Sequence, residues 1–296
     1  MKSFTFKKID AFATNNSDGN PAGYISLNSF NDINDNEMLK IASQLRGYVN
    51  EVGYITKSDN RKYTLRYFSA EREVEFCGHA TIAIMYDIIK NDKELINTYE
   101  INITTNKGQL IVQNRIKEEN AVFIMSPIPK FNKTQIPIEK IAEVLKIKIS
   151  DINIKPEIIN AGLETLIISI NSLETILSMK PNLEELREFC FGYNIDIIEV
   201  FCNEVESSDT AYRTRVFAPK FGYLEDPATG SGNSALGYYL LNHKRWDGNI
   251  ISIEQNGFKD RYNVVKLKTQ VDSNDVNRVL FGGGAVTRIE GKYNLL

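Results

Sequence analysis

The chain has 296 residues, of which 42% are hydrophobic and 25% charged, an ordinary globular composition with room for one large domain or two of about 150 residues. Its 35 basic and 38 acidic side chains leave a net charge of −3, with no basic excess to neutralise a polyphosphate backbone, which argues against nucleic acid as a partner. No segment approaches the roughly 20 apolar residues of a membrane span. Three cysteines, Cys77, Cys190 and Cys202, are too sparse for a disulfide framework, and Met1 to Lys8 alternate like a strand rather than a signal peptide. The expectation is a cytoplasmic protein without membrane attachment.

Taken in order, residues 3–9 and 22–27 read as strands, separated by the turn-rich stretch Asn15 to Pro21. Met38, Leu39, Ile41, Ala42 and Leu45 recur at helical spacing over 36–45, and strands follow near 51–56 and 62–68. From Ala80 to Ile89 apolar residues repeat without a polar face, the mark of a helix enclosed by other elements. Strand patterns return at 99–104, 109–115 and 120–126, with Asn106-Lys107-Gly108 as a hairpin turn. Ser126-Pro127-Ile128-Pro129-Lys130 then breaks both patterns and reads as a linker. Beyond it, helices near 138–146 and 182–191 intervene between strands near 156–170 and 196–203. A strand at 211–217, a second small-residue helix from Ser231 to Leu241 and a strand-rich end complete the chain.

The halves share a signature. Tyr67-Phe68-Ser69-Ala70, an acidic loop and Cys77-Gly78-His79-Ala80-Thr81 are matched by Val216-Phe217-Ala218-Pro219, an acidic loop and Thr229-Gly230-Ser231-Gly232-Asn233, about half a chain length later. Each is a strand, a loop and a glycine opening an apolar helix. The pattern predicts an α+β fold of two pseudo-symmetric lobes, each a curved mixed sheet around a central helix. The expected lobes are 1–126, joined by the C-terminal strand 279–296, and 127–278.

A helix's first turn leaves N–H groups unpaired and partially positive, and glycine there admits a ligand close to the backbone. Two such tips facing a cleft would hold a small carboxylate without an arginine; equally, Gly78 and Gly230 could serve only as tight turns. His79 stands out by its place in the glycine turn, whereas His243, near a helix C-terminus, is explained by the dipole. Glu51 leads into the apolar strand Val52 to Ile55. It reads either as an exposed edge residue or as a cleft acid whose pKa burial would raise, fit to act as base and then acid. Asp226 has a similar ambiguity: Asp226-Pro227 is a routine turn, and Thr229 or Ser231 could simply cap the helix.

With these residues in view, Glu225-Asp226-Pro227-Ala228-Thr229-Gly230-Ser231 resembles the DPATGS signature of the PhzF-like phenazine biosynthesis isomerase family. Phe76-Cys77-Gly78-His79-Ala80-Thr81 is similar to its GH(P/A)T signature, Gly19-Asn20-Pro21-Ala22 to its GNP turn, Asn50-Glu51-Val52 to its glutamate site, and Phe281 to Val286 to its closing glycine turn. The resemblance implies the diaminopimelate-epimerase-like fold, no metal, no organic cofactor and commonly a homodimer. It also implies Glu51 as the acid/base that moves a proton on a small carboxylated substrate, cyclic in the phenazine enzyme. His79, Asp226 and Ser231 would orient that substrate, with Gly78 and Gly230 as backbone donors and Asn20 as a further contact.

The departures bear on chemistry. Epimerases of the wider fold use two opposed cysteines; Cys77 matches the first position, but Thr229 occupies the second, and a hydroxyl is far too weak an acid to replace a thiolate. Asn50 stands where the family has serine. The competing readings are an amino-acid epimerase or racemase using Cys77, and a binding module that kept the fold without turnover. A dinucleotide site at Gly230-Ser231-Gly232 is disfavoured because Pro227 stands where a strand would be, no histidine or cysteine spacing suits zinc, and no Gly-x-Ser-x-Gly elbow supports a hydrolase.

Overall fold

Alternating side chains make β1 (Lys2–Ala11) a strand, and Gly19 then turns the chain back into β2 (Asn20–Leu27), its antiparallel neighbour, with Ala11 opposite Asn20. Gly19 has φ +70°, and a Cβ there would lie 2.7 Å from the Ala11 carbonyl oxygen, so both backbone and space demand glycine. The computed structural model describes residues 2–59 and 61–296, and these divide into two units, Met1–Met125 with Gly282–Leu296, and Ser126–Phe281.

In the first unit, α1 (Asp35–Gln44) begins at a capping box, with Asn34 accepting from the Glu37 N–H and Glu37 accepting from the Asn34 N–H. The helix carries the chain over so that β3 (Glu51–Asp59) runs parallel to β2. β4 (Lys62–Ser69) pairs antiparallel with β3, and the short β5 (Glu73–Val74) pairs with β4. There follow α2 (Gly78–Asn91), β6 (Glu100–Thr105) parallel to β4, β7 (Gly108–Arg115), a turn of helix α3 (Ile116–Glu119) and β8 (Ala121–Met125).

The second unit opens with β9 (Lys130–Asn132) and α4 (Ile138–Leu145) and then repeats the order of the first. β10 (Ile152–Asn160) and β11 (Glu164–Ile170) form an antiparallel hairpin, as β1 and β2 do. After α5 (Leu173–Ser178) and α6 (Leu183–Tyr193), β12 (Ile197–Cys202) runs parallel to β11. β13 (Tyr212–Phe217) is antiparallel to β12, and β14 (Glu225–Asp226) pairs with β13 before α7 (Gly230–Asn242). β15 (Ile251–Gln255) lies parallel to β13, and β16 (Asn263–Val271) is antiparallel to β15. β17 (Asn277–Gly283) leads to β18 (Ala285–Leu295), which returns to pair with β1. The α+β class and the duplicated strand order are those the sequence predicts.

Each unit is built around its glycine-led helix. α2 packs against β1, β2, β3, β7, β8 and β18, burying Ile82, Ile84, Met85 and Ile89, each worth about 1.5–3 kcal/mol. Its buried acid, Asp87, accepts hydrogen bonds from Lys7 (2.9 Å), Tyr24 (2.7 Å) and Thr287 (3.0 Å), which satisfy a carboxylate that burial would otherwise penalise. α7 packs against β10, β11, β12 and β16. In the same unit Arg213 and Glu254, both fully buried, pair at 2.9 Å. Glu254 also accepts the N–H groups of Glu206 and Ser207, while Arg213 donates to the carbonyls of Asn256, Phe258 and Lys259. That pair ties two loops to β13 and β15. Among the described residues no helix is long and apolar enough to cross a membrane.

Candidate functional site

The residues singled out by sequence fall into two groups, one per unit. In the first unit β3 starts at Glu51, whose register partners are Ala22 of β2 and Ser69 of β4, and α2 starts at Gly78. This places three reactive side chains together: His79 Nε2 lies 3.2 Å from Glu51 Oε2, Cys77 Sγ 3.7 Å from the same oxygen, and Cys77 Sγ 3.4 Å from His79 Nδ1. Glu51 keeps 22% of its side-chain surface and His79 13%, so the pair is sheltered but reachable.

Charge is distributed unequally among the three. Burial works to raise the Glu51 carboxyl, but the hydrogen bond and charge of His79, with the Cys77 contact, outweigh it and hold the group below its usual range. The raised carboxyl that burial alone would give is therefore not what forms. For His79, burial favours the neutral ring, yet its two acidic neighbours carry it well above the ordinary histidine value. Burial and the Glu51 charge push the Cys77 thiol up, while the His79 charge and hydrogen bond work the other way.

Beside this pair the tip of α2 is open. Cys77 is its N-cap residue and makes no side-chain cap, and the first helical bond runs from the Thr81 N–H to the Cys77 carbonyl. The N–H groups of Gly78 and His79 thus have no intrahelical acceptor. Asn20, almost wholly buried at the start of β2, accepts a hydrogen bond from Asn50 Nδ2 at 2.9 Å. The residue that replaces the family serine before Glu51 thereby meets the Asn of the N-terminal turn.

In the second unit Asp226 is buried at the end of β14, where its Oδ2 accepts from Thr229 Oγ1 at 2.7 Å. Gln255 locks the turn: its Nε2 donates to the Asp226 carbonyl and to Thr229 Oγ1, and its Oε1 accepts from the Thr229 N–H and from Asn233 Nδ2. Neither Thr229 nor Ser231 caps α7; the Thr229 hydroxyl is committed to Asp226. The first helical bond runs from the Asn233 N–H to the Thr229 carbonyl, so the Gly230, Ser231 and Gly232 N–H groups have no intrahelical acceptor. Gly230 also has a packing duty, since a Cβ there would sit 2.4 Å from the Phe281 ring. His243 lies apart, bonded to Glu157 Oε1 at 2.9 Å and stacked on Tyr239.

One acid escaped the sequence reading. Glu199 on β12 is fully buried, neither of its carboxyl oxygens has a hydrogen-bond partner among the described residues, and burial with the Asp226 charge pushes it well above the carboxylate range. It shares a register row with Val216 and Asp226, and the missing side chain of Gly232 makes room for it: a Cβ there would meet Glu199 Oε2 at 2.5 Å. The signal was present as a lone carboxylate in the apolar run Ile197 to Cys202.

With this geometry in place, comparison with known proteins is informative. Residues 9–291 match the family model described as phenazine biosynthesis-like protein. A relative named an uncharacterized isomerase in Clostridium acetobutylicum is 32% identical over 304 residues, covering 97% of this chain and 96% of the relative. Another so named, from Bacillus subtilis, is 29% identical over 260 residues, covering 86% of this chain and 87% of its own. The crystal structure of a Bacillus anthracis phenazine biosynthesis protein of the PhzF family superposes with a TM-score of 0.85 over 100% of both chains at 24% identity, which speaks to fold. The chain therefore belongs to the phenazine biosynthesis-like family and, with its named relatives, is an isomerase.

Proposed function

We propose that the chain isomerises a small carboxylate, with Glu51 as the proton carrier. The Glu51 carboxylate takes a proton from a substrate carbon, the C–H electron pair delocalises into the adjoining unsaturated system, and the protonated Glu51, exposed enough to exchange with solvent, delivers a proton to a second carbon. Atoms and charge balance without a metal or an organic cofactor. The observation that carries the reading is the 3.2 Å contact between Glu51 and His79 beside an uncapped helix tip. His79 keeps Glu51 ionised and ready to accept, and the tip N–H groups suit a substrate carboxylate.

In this reading Asn20, Gly78, Asp226, Gly230 and Ser231 are the residues proposed to contact and orient substrate. Asp226 is held in one rotamer by Thr229, and the α7 tip offers further N–H donors. A cytoplasmic homodimer accompanies the proposal. A Cys77-based racemase is less well supported, because burial and the Glu51 charge push the thiol up, away from the thiolate a base needs, and Thr229 bonds to Asp226 instead of serving as a second base. The test is a screen of dihydroaromatic and amino-acid carboxylates for deuterium uptake from heavy water, run on the native chain and on Cys77→Ala and Glu51→Gln. Exchange that disappears with Cys77 but survives loss of Glu51 would reverse the assignment.

A further inference from the structure

The three side chains at the start of α2 also have the composition and spacing of a metal site. We propose that Glu51, Cys77 and His79 form a three-ligand site for a soft divalent cation of the zinc class. A thiolate, an imidazole nitrogen and a carboxylate oxygen are the donors zinc takes, and three protein ligands leave the fourth position of a tetrahedron for water. At zinc bond lengths of about 2.0–2.3 Å and tetrahedral angles, an N,O ligand pair lies about 3.4 Å apart and pairs including sulfur about 3.6 Å apart. Here Nε2 and Oε2 are 3.2 Å apart, Sγ and Oε2 3.7 Å, and Sγ and Nε2 3.9 Å. All the ligand atoms lie within 4.8 Å of one another, so small side-chain rotations suffice and the backbone need not move.

Charge favours the same occupant. A thiolate and a carboxylate neutralise a dication, so the filled site would be neutral in a largely buried place, where a net charge is costly. The Ala80 N–H bonds to the Cys77 sulfur, the outer-shell support a metal thiolate receives from helix tips. Binding exchanges protons for metal: the thiol proton and the proton shared by His79 and Glu51 leave as the cation enters. The other two cysteines are buried elsewhere, and among the described residues only this trio forms such a group.

The consequence rests on the proposed function: a cation here engages Glu51 and His79 together, so the same metal switches the acid/base pair off. The probe is cobalt(II) titrated into chelator-treated protein. One equivalent should bring a thiolate-to-cobalt charge-transfer band and tetrahedral d–d bands, both abolished by one equivalent of zinc. Cys77→Ser should lose the charge-transfer band, and His79→Gln should weaken binding by no less than the roughly 100-fold that loss of an outer-shell partner costs. His243→Gln, with circular dichroism as the folding control, should leave the spectrum intact. The inference fails if no band forms, or if the band survives Cys77→Ser. Deuterium exchange separates it from the functional reading. A cobalt-loaded chain that still exchanges its substrate would refute the switch, whereas exchange lost in metal-free Glu51→Gln while the native chain forms no cobalt band would leave the function standing and remove the metal site.

Discussion

Gly230→Ala sets two opposed effects against each other at the start of α7. Replacing glycine by alanine in a helix gains up to about 1 kcal/mol from propensity. Against that, the added Cβ would lie 2.4 Å from both Cδ2 and Cε2 of Phe281 and 3.1 Å from Cγ, in a region where Phe281 is itself only 3% exposed. The ring cannot withdraw into solvent, so the overpacking cost is about 1–3 kcal/mol, and more at the upper end for a contact this short. The net expectation is a loss of about 1–2 kcal/mol, read as a lowered midpoint in urea at unchanged slope. A double-mutant cycle gives the sharper test, since Phe281→Leu removes the ring and should recover most of the loss, a coupling above about 0.5 kcal/mol. Gly192, in α6, is the internal control: a Cβ there meets nothing within 4 Å, so Gly192→Ala should stabilise by a few tenths to about 1 kcal/mol. The reasoning would be refuted by Gly230→Ala matching the native midpoint, or by a loss that Phe281→Leu does not relieve.

Two further outcomes follow from ion pairs. Arg213→Met strands the fully buried Glu254 carboxylate and should cost about 3–5 kcal/mol in chemical denaturation, while a cost under about 1 kcal/mol would contradict the anchoring role of the pair. Arg66 grips Glu73 through Nε (2.7 Å) and Nη2 (2.8 Å), and this hydrogen bonding outweighs burial to hold the Glu73 carboxyl below its usual range. A lowered native value means that the contribution is complete above the unfolded carboxylate value near about 4.3 and drains away as pH falls through the native one. The stability gap between native protein and Glu73→Gln should therefore be open at pH 7 and close on acidification; a gap that widens in acid has the wrong sign.

Much of the architecture was legible because it rests on local pattern. The apolar runs after Gly78 and Gly230 announced two enclosed helices, and the matching strand–loop–glycine order announced the duplicated topology. Boundaries were less visible: α2 begins at Gly78 itself and continues past the apolar run to Asn91, whose side-chain amide donates back to the Asp87 carbonyl, while Asp87 within the run is satisfied by Lys7, Tyr24 and Thr287 from distant strands. Local reading also could not assign the Thr229 hydroxyl, which a capping rule sends to the helix and the fold sends to Asp226.

The chemistry at Glu51 shows the same division. Sequence offered a carboxylate at a strand start and a histidine at a helix start, but their distance depends on how β3 lies beside α2. Hence the sign of the Glu51 shift could not be read in advance: burial raises it, His79 lowers it, and only the 3.2 Å contact decides. For the same reason no zinc spacing was visible, since Cys77 and His79 are two residues apart and the third donor arrives from β3. Glu199 stays hidden in the sequence because β12 has the pattern of a buried strand whichever way its one carboxyl faces.

The most direct measurement follows deuterium from heavy water into one bound carboxylate at a single carbon, comparing metal-free native chain with Glu51→Gln and measuring ligand affinity by calorimetry in parallel. The account predicts that exchange falls by about 10²–10⁴-fold while affinity holds, because the amide fills the same space without accepting a proton. Equal exchange rates in the two proteins would show that some other group carries it.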